Sequence, residues 1–346
     1  MHPIHVNQPG TKLRKVIAKM KPDKIGVIVD ENTKKHCLPR LQSKLKQPIS
    51  VIRVHSGEIY KDTDTLHEIW EQMYRAGMTR KSLTINLGGG VIGDMGGFAA
   101  STYMRGMQFI QMPTTLLSMV DASVGGKLGV DFHQMKNFIG IFNEPHIVWI
   151  DTKYLKTLPK QEVKSGFGEV IKHSLIADAE LWNTIRTTKK IKQWKKLVKQ
   201  NIAIKKAVVK ADPFEGGVRK ILNYGHTVGH AIESHYLTSE TPLLHGYAIG
   251  FGMIVENIIS YHKGMLTKKQ MQSINAYLKD YYPCHPMKVK KSSIKKMIEM
   301  MKMDKKNANG EIRMSLIETP GRCHYNVPVS PAEIRLAMKE SGIFGD

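Results

Sequence analysis

Glu169, His226 and His245 offer a carboxylate and two imidazoles, the donor types that hold a divalent cation while one position stays open for substrate. Upstream lies a glycine hinge, Gly88-Gly89-Gly90-Val91-Ile92-Gly93-Asp94, whose composition suits a dinucleotide pyrophosphate. The two together point to redox chemistry assisted by a cation. His230 stands four residues beyond His226, so a helix turns both rings to one side, and spacing alone makes both of them ligands. Taken singly, each histidine is as readily a hydrogen-bonded core or helix-start residue. Glu169, three residues before Lys172, could equally be half of an ion pair along a helix.

Gly88, Gly90 and Gly93 satisfy G-x-G-x-x-G with a strand pattern before and helical composition after. The acidic residue expected about 20 positions later is missing, since 106–110 carry no carboxylate. A bound nucleotide would therefore take its ribose partner from an earlier strand end, where Asp30 and Glu58 are available. The alternative is a glycine turn needed only for tight strand-helix packing. Further on, Arg105, Lys127 and Lys136 suit a phosphate or carboxylate, and Asp121 and Asn137 suit hydroxyls. An ordinary surface loop with solvated lysines is the competing reading of that stretch.

These groups need a scaffold. Apolar runs at 24–30, 50–54 and 82–87 read as buried strands and 64–76 as a helix, an alternation that predicts a parallel sheet covered on both faces. From about residue 159 the periodicity turns helical, over 161–176, 180–187, 191–209, 228–236, 247–262, 268–278 and 293–303. The expected architecture is an α/β, Rossmann-like parallel-sheet domain over 1–155 followed by an all-α domain over 156–346.

A length of 346 residues with 41% hydrophobic composition supports two such domains and excludes a solvated tail. The formal charge of +22 invites a nucleic-acid reading. The lysines of 189–210, however, alternate with Ile191, Trp194, Leu197, Val198 and Ile202 at helical spacing, without interleaved stacking aromatics. A solvated helix face and an anionic substrate account for the charge better, so no nucleic-acid partner is expected. Three scattered cysteines, no apolar leader and no run of about 20 apolar residues suggest a cytosolic protein with no membrane partner.

The blocks Gly57-Glu58 with Lys61, 88–98, Arg105-Gly106, 113–127, Lys136-Asn137, 155–159, 166–172, 219–230, Leu244-His245-Gly246 and Asp304-Lys305-Lys306 occur in order along the chain. In this they resemble the 3-dehydroquinate synthase family, sugar-phosphate cyclases of the shikimate pathway. The resemblance implies a homodimeric lyase that uses NAD and zinc or cobalt in a cleft between two domains. Its reaction would convert 3-deoxy-D-arabino-heptulosonate 7-phosphate to 3-dehydroquinate and phosphate. The steps would be transient oxidation, phosphate elimination, reduction, ring opening and intramolecular aldol closure.

By the same resemblance, the metal ligands fall on Glu169, His226 and His245, and His230 becomes a substrate-side, proton-handling group. NAD contacts fall on Asp30, Glu58, Lys61, Gly89, Gly90 and Asp94, and further on Thr114, Thr115, Asp121, Lys136 and Thr157. Substrate contacts fall on Arg105, Lys127, Lys136, Asn137, Lys172 and Lys205, then on Arg219, Asn223, His230 and one of Lys305 or Lys306. Among these, Lys127, Lys172, Arg219, Asn223 and His230 would be catalytic. The chain departs from the family pattern at Tyr247, where a glutamate usually follows Leu-His-Gly, at Pro213 in place of an acid, and at Asp131 in place of an asparagine. Two other readings share parts of the pattern: a cyclase acting on a neutral sugar phosphate, and a metal-dependent alcohol or glycerol dehydrogenase.

Overall fold

The computed structural model describes residues 2–133, 135–188, 190–236, 242–283, 291–302 and 311–344. Contacts divide the chain into two compact units, 1–163 with 193–206 and 164–192 with 207–346.

The first unit opens with β1 (Ile4–Val6), α1 (Gly10–Met20), β2 (Ile25–Val29), α2 (Glu31–His36), α3 (Leu38–Gln42), β3 (Ser50–Arg53) and α4 (Thr63–Arg75). It continues through β4 (Leu83–Gly88), α5 (Gly90–Thr102), β5 (Gln108–Pro113), an antiparallel ribbon of β6 (Lys127–Phe132) and β7 (Met135–Phe142), and β8 (Ile147–Ile150). Six strands form a sheet in the order β1-β8-β5-β4-β2-β3, and every pairing in it is parallel. The reason is visible in the side chains: β2, β4 and β8 are buried at every position, so both faces must be covered and the links must be crossovers. After β3 the chain reverses direction across the sheet, leaving β2 and β4 as neighbours whose connections leave on opposite sides. In open sheets of this kind, ligands bind at the carboxyl ends of the strands beside such a reversal. α5 fits tightly there, because a Cβ on Gly96 would lie 2.5 Å from Asn86 Oδ1 and one on Gly97 2.5 Å from Leu128 Cδ2.

Helices follow: α6 (Lys160–Ala177), α7 (Ala179–Thr187), α8 (Trp194–Ala211), α9 (His226–Tyr236), α10 (His245–His262), α11 (Lys268–Tyr281) and α12 (Lys291–Lys302). The division between the units falls inside α6 and α8. On α8, Leu197, Val198 and Ile202 are buried as the periodicity requires. Lys205 is buried too, so the basic helix is not solvated all along its length. α10 is buried almost end to end, as its apolar sequence demands of a central helix.

The helical part also carries a feature that the periodicity did not announce, an antiparallel ribbon of β9 (Ile312–Thr319) and β10 (Arg322–Val329) before α13 (Pro331–Glu340). Its two-residue turn, Pro320-Gly321, places the glycine at φ +91°, the pairing of proline then glycine that a tight turn of this type needs. Among the described residues, no helix is long and apolar enough to cross a membrane.

Candidate active site

Three helices of the second unit bring Glu169, His226 and His245 together. Glu169 sits in mid-α6, while His226 and His245 are the first residues of α9 and α10. Small residues allow the approach. A Cβ on Gly246 would lie 1.8 Å from the Ser165 carbonyl oxygen, and one on Gly252 2.0 Å from the Gly225 carbonyl oxygen. α10 therefore touches α6 and the start of α9 backbone to backbone. Ser165 reinforces the first contact, its Oγ accepting from the Gly246 amide at 3.0 Å.

Glu169 Oε1 is 3.5 Å from both His226 Nε2 and His245 Nε2. Ligand atoms about 2.0–2.1 Å from a tetrahedral ion lie roughly 3.4 Å apart, so this spacing fits a cation of zinc size. The other ring nitrogens are occupied. His226 Nδ1 lies 3.0 Å from the Tyr224 carbonyl oxygen, and His245 Nδ1 lies 3.2 Å from Glu233 Oε2. A carbonyl and a carboxylate only accept, so each Nδ1 donates a proton there and Nε2 is the nitrogen that each ring turns toward Glu169. Burial disfavours a charged His245, but Glu233 and Glu169 outweigh it and push its pKa up to about 10, so a cation entering the site would have to displace the Nε2 proton. The ion pair that the i,i+3 spacing suggested is present as well, between Glu169 Oε2 and Lys172 Nζ, both buried.

The His230 ring lies 5.1 Å from that of His226 and 6.0 Å from that of His245, centroid to centroid. It belongs to a second group, His230, Glu233 and His245, whose ligand atoms also fall within 4.8 Å of one another. Geometry by itself therefore allows two triplets that share His245. Nearby in sequence, Asp212 accepts from the amides of Gly216, Gly217 and Arg219 and folds the turn that carries Arg219. The buried Arg219 guanidinium donates to the Pro213 carbonyl, and Asn223 Nδ2 donates to Glu215 Oε1 at 2.8 Å. Lys305 and Lys306 lie outside the described residues.

The first unit holds a different arrangement. Gly88, Gly89, Gly90, Gly93 and Asp94 line a shallow recess at the carboxyl ends of β4 and β5, bordered on the other side by Pro113, Ser118 and Ala122. α5 starts there with Gly89 as its N-cap and no side-chain capping bond, so its first amides point outward. The packing explanation holds for Gly88, where a Cβ would lie 2.4 Å from Ile92, but not for Gly90, where the nearest contact is Ala122 Cβ at 3.7 Å.

At the far end of the hinge Asp94 accepts from Lys61 Nζ at 2.7 Å, and the same ammonium reaches Asn137 Oδ1 at 2.6 Å. Burial works against the Lys61 charge, but Asp94 and Glu58 hold its pKa above the ordinary lysine range. Lys136 pairs with Glu58 at 3.4 Å, and Asp131, standing where an asparagine was expected, accepts from the Asn137 amide at 2.6 Å. Lys205 on α8 donates to the Asp121 carbonyl at 2.8 Å and pairs with its carboxylate at 2.6 Å.

The remaining positions are more scattered. Asp30 follows β2 directly and caps α2, accepting from the Thr33 amide at 2.7 Å. Thr114 is buried at the end of β5, Thr115 bonds Ser118, and Thr157 closes a 3-10 turn on the Tyr154 carbonyl. Arg105 and Lys127 are exposed, Arg105 in a left-handed conformation at φ +68°.

Residues 51–165 match the model of the 3-dehydroquinate synthase N-terminal domain, and 166–307 match that of the C-terminal domain. The 3-dehydroquinate synthase of Parabacteroides distasonis is 36% identical over 329 residues, covering 94% of this chain and 93% of that one. That of Thermodesulfovibrio yellowstonii is 41% identical over 329 residues, covering 92% and 90%. The chain belongs to the 3-dehydroquinate synthase family.

Solved structures agree on the fold. A 2-deoxy-scyllo-inosose synthase complexed with carbaglucose-6-phosphate, NAD+ and Co2+ superposes with a TM-score of 0.85 at 24% identity, covering 97% of this chain and 96% of that one. An iron-containing alcohol dehydrogenase reaches 0.66 at 16% identity, covering 98% and 97%. In this member of the 3-dehydroquinate synthase family, two buried acids beside the cluster, Glu233 and Glu256, escaped the reading of the sequence. Signals for both were there. Glu233 follows His226 and His230 by seven and three residues, on the same helix face, and Glu256 interrupts an apolar run that would exclude an unsatisfied carboxylate.

Proposed function

We propose that this protein catalyses the 3-dehydroquinate synthase reaction, converting 3-deoxy-D-arabino-heptulosonate 7-phosphate to 3-dehydroquinate and inorganic phosphate with NAD and a zinc or cobalt ion. The observation that carries the proposal is the Glu169 oxygen equidistant from two imidazole Nε2 atoms, each ring being held through its Nδ1 by a separate acceptor. When bound, NAD would supply reversible hydride acceptance at one substrate carbon, and the cation held by Glu169, His226 and His245 would supply Lewis acidity toward the oxygen on that carbon.

The chain's own groups do the rest. Glu169, His226 and His245 hold the cation, and Lys172 keeps the buried Glu169 charge compensated. The amides at the start of α5 receive the NAD pyrophosphate over Gly89 and Gly90. Asp30, Glu58, Lys61 and Asp94, with Thr114, Thr115, Asp121 and Thr157, hold the rest of the cofactor. Arg105, Lys127, Lys136 and Asn137 clamp the departing phosphate, and Arg219, Asn223, Lys205 and the cations at Lys305 or Lys306 meet the substrate carboxylate and hydroxyls. His230 takes the proton from the carbon beside the transient carbonyl, after which phosphate leaves across that bond. Ring opening and aldol closure then need a shaped, dry pocket.

In this proposal NAD belongs to 1–155, and metal and substrate mainly to 156–346. It also takes the enzyme to be a cytoplasmic homodimer without nucleic-acid or membrane partners. The exposed apolar side chains Phe132, Phe138 and Phe142 on the β6–β7 ribbon support self-association.

The test is to incubate metal-loaded protein with the heptulosonate phosphate and NAD and to follow phosphate and NADH together. Phosphate release without NADH accumulation is expected. Stoichiometric NADH accumulation would assign a dehydrogenase instead, and repeated absence of phosphate release would remove the proposal.

A further inference from the structure

We infer that α9 and α10 hold each other's metal ligand through two buried carboxylates, Glu233 and Glu256, which act as reciprocal positioning residues. This inference rests on the reading of Glu169, His226 and His245 as the metal site. Each helix begins with one imidazole and carries, further along, an acid that reaches the other helix's start.

From α9, Glu233 Oε2 accepts from His245 Nδ1 at 3.2 Å and fixes that ring's orientation. From α10, Glu256 Oε2 accepts from the Gly225 amide at 2.6 Å and its Oε1 from the Val228 amide at 3.3 Å, so one side chain brackets His226 from both sides. The neighbouring Asn257 accepts from the Tyr224 hydroxyl at 2.5 Å and donates to Asn275 at 2.8 Å. Tyr224 is thus anchored at its ring, while its carbonyl oxygen is the group that holds His226 Nδ1. Glu256, Asn257 and Tyr224 are all fully buried. Burying a carboxylate is costly unless it is fully hydrogen-bonded, and helix ends can be satisfied with neutral groups at less cost. What the carboxylate adds is a stiff, two-point grip on the first turn of α9, where the ligand sits.

Tyr247, two residues after His245, offers no carboxylate to that ring. The Tyr247 ring packs 4.9 Å from that of Tyr282, which fills the slot left by Gly250, where a Cβ would lie 2.5 Å from the Tyr282 ring. Orientation of His245 comes from Glu233, on a different helix.

Zinc affinity measured by chelator competition tests the inference, with the unfolding temperature of metal-free protein and the visible spectrum of the cobalt-loaded form as further readouts. Glu233→Gln and Glu256→Gln should each weaken zinc binding about 10- to 100-fold. Glu233→Gln should leave the metal-free unfolding temperature unchanged and alter the cobalt spectrum. Tyr224→Phe, a milder change, should weaken zinc by less, and Tyr247→Phe should not change it. A folded Glu233→Gln protein with wild-type zinc affinity would overturn the inference, as would a Glu256→Gln protein that is less stable but binds zinc normally. If Glu256→Gln does not fold, Tyr224→Phe decides, and unchanged affinity there refutes the grip on His226. Wild-type protein that binds no zinc would bring down the metal-site reading itself, a different result from normal binding in every variant.

Discussion

A Cβ added to Gly246 would lie 1.8 Å from a backbone oxygen of α6, whereas one added to Gly90 would find ordinary contact at 3.7 Å. The same residue type therefore serves opposite ends at these two positions. Around the histidines, glycine removes space so that three helices can press their backbones together and carry ligands to within 3.5 Å of one carboxylate oxygen. At the start of α5, beside a tightly packed Gly88, Gly90 preserves space, and the recess it lines lies next to helix amides that no side chain caps. A cation site needs donors fixed to fractions of an ångström, which packing supplies; a dinucleotide site needs backbone that a large anion can approach, which packing must not fill.

The contrast breaks most visibly at the ligands. His245→Ala should abolish zinc retention and, because a bound cation supplies several kcal/mol of transition-state stabilisation, lower phosphate release on the order of 1,000-fold. NAD binding, followed by fluorescence titration, should survive. Loss of both together would mean that the two sites are not separable. Next in size is Gly246→Ala, expected to cost about 3 kcal/mol of stability by forcing α10 from α6 and to weaken zinc binding as well. Its counterpart Gly90→Ala should leave the denaturation midpoint nearly unchanged yet weaken NAD. Equal loss of stability in the two variants would contradict the assignment of filled and open space.

Lys61→Met removes the ammonium shared by Asp94 and Asn137 and should cost about 2 kcal/mol, with weaker NAD binding and full zinc content by metal analysis. The smallest effect belongs to Asp30→Asn, which keeps a capping oxygen for α2 and should alter stability by less than about 0.5 kcal/mol. Any change in NAD affinity there isolates the carboxylate's part in holding the ribose, and none would make Asp30 a cap alone.

Much of the fold was legible because burial imposes a period. The strand at 82–87 and the helix at 247–262 differ from β4 and α10 by two residues or fewer, since continuous or helically spaced apolar residues leave few alternatives. The β9–β10 ribbon was not legible in the same way, because β10 mixes Arg322, His324 and Tyr325 with Val327 and Val329 and shifts register on the way. At the site, the spacing of His226 and His230 correctly predicted neighbouring rings. It could not rank the two overlapping triplets, because which nitrogen faces the carboxylate depends on Tyr224 and Glu233, contacts made through the folded backbone and across helices.

Residue types and their order, taken alone, determined the class of chemistry, the parallel sheet and the helical half, because donor chemistry and hydrophobic period are properties of the chain itself. Tertiary structure alone decided which acids serve the histidines, that Tyr247 packs on Tyr282 and that Lys61 joins Asp94 to Asn137. Those outcomes depend on distances between elements far apart in sequence, and such distances come into being only when packing brings the elements together.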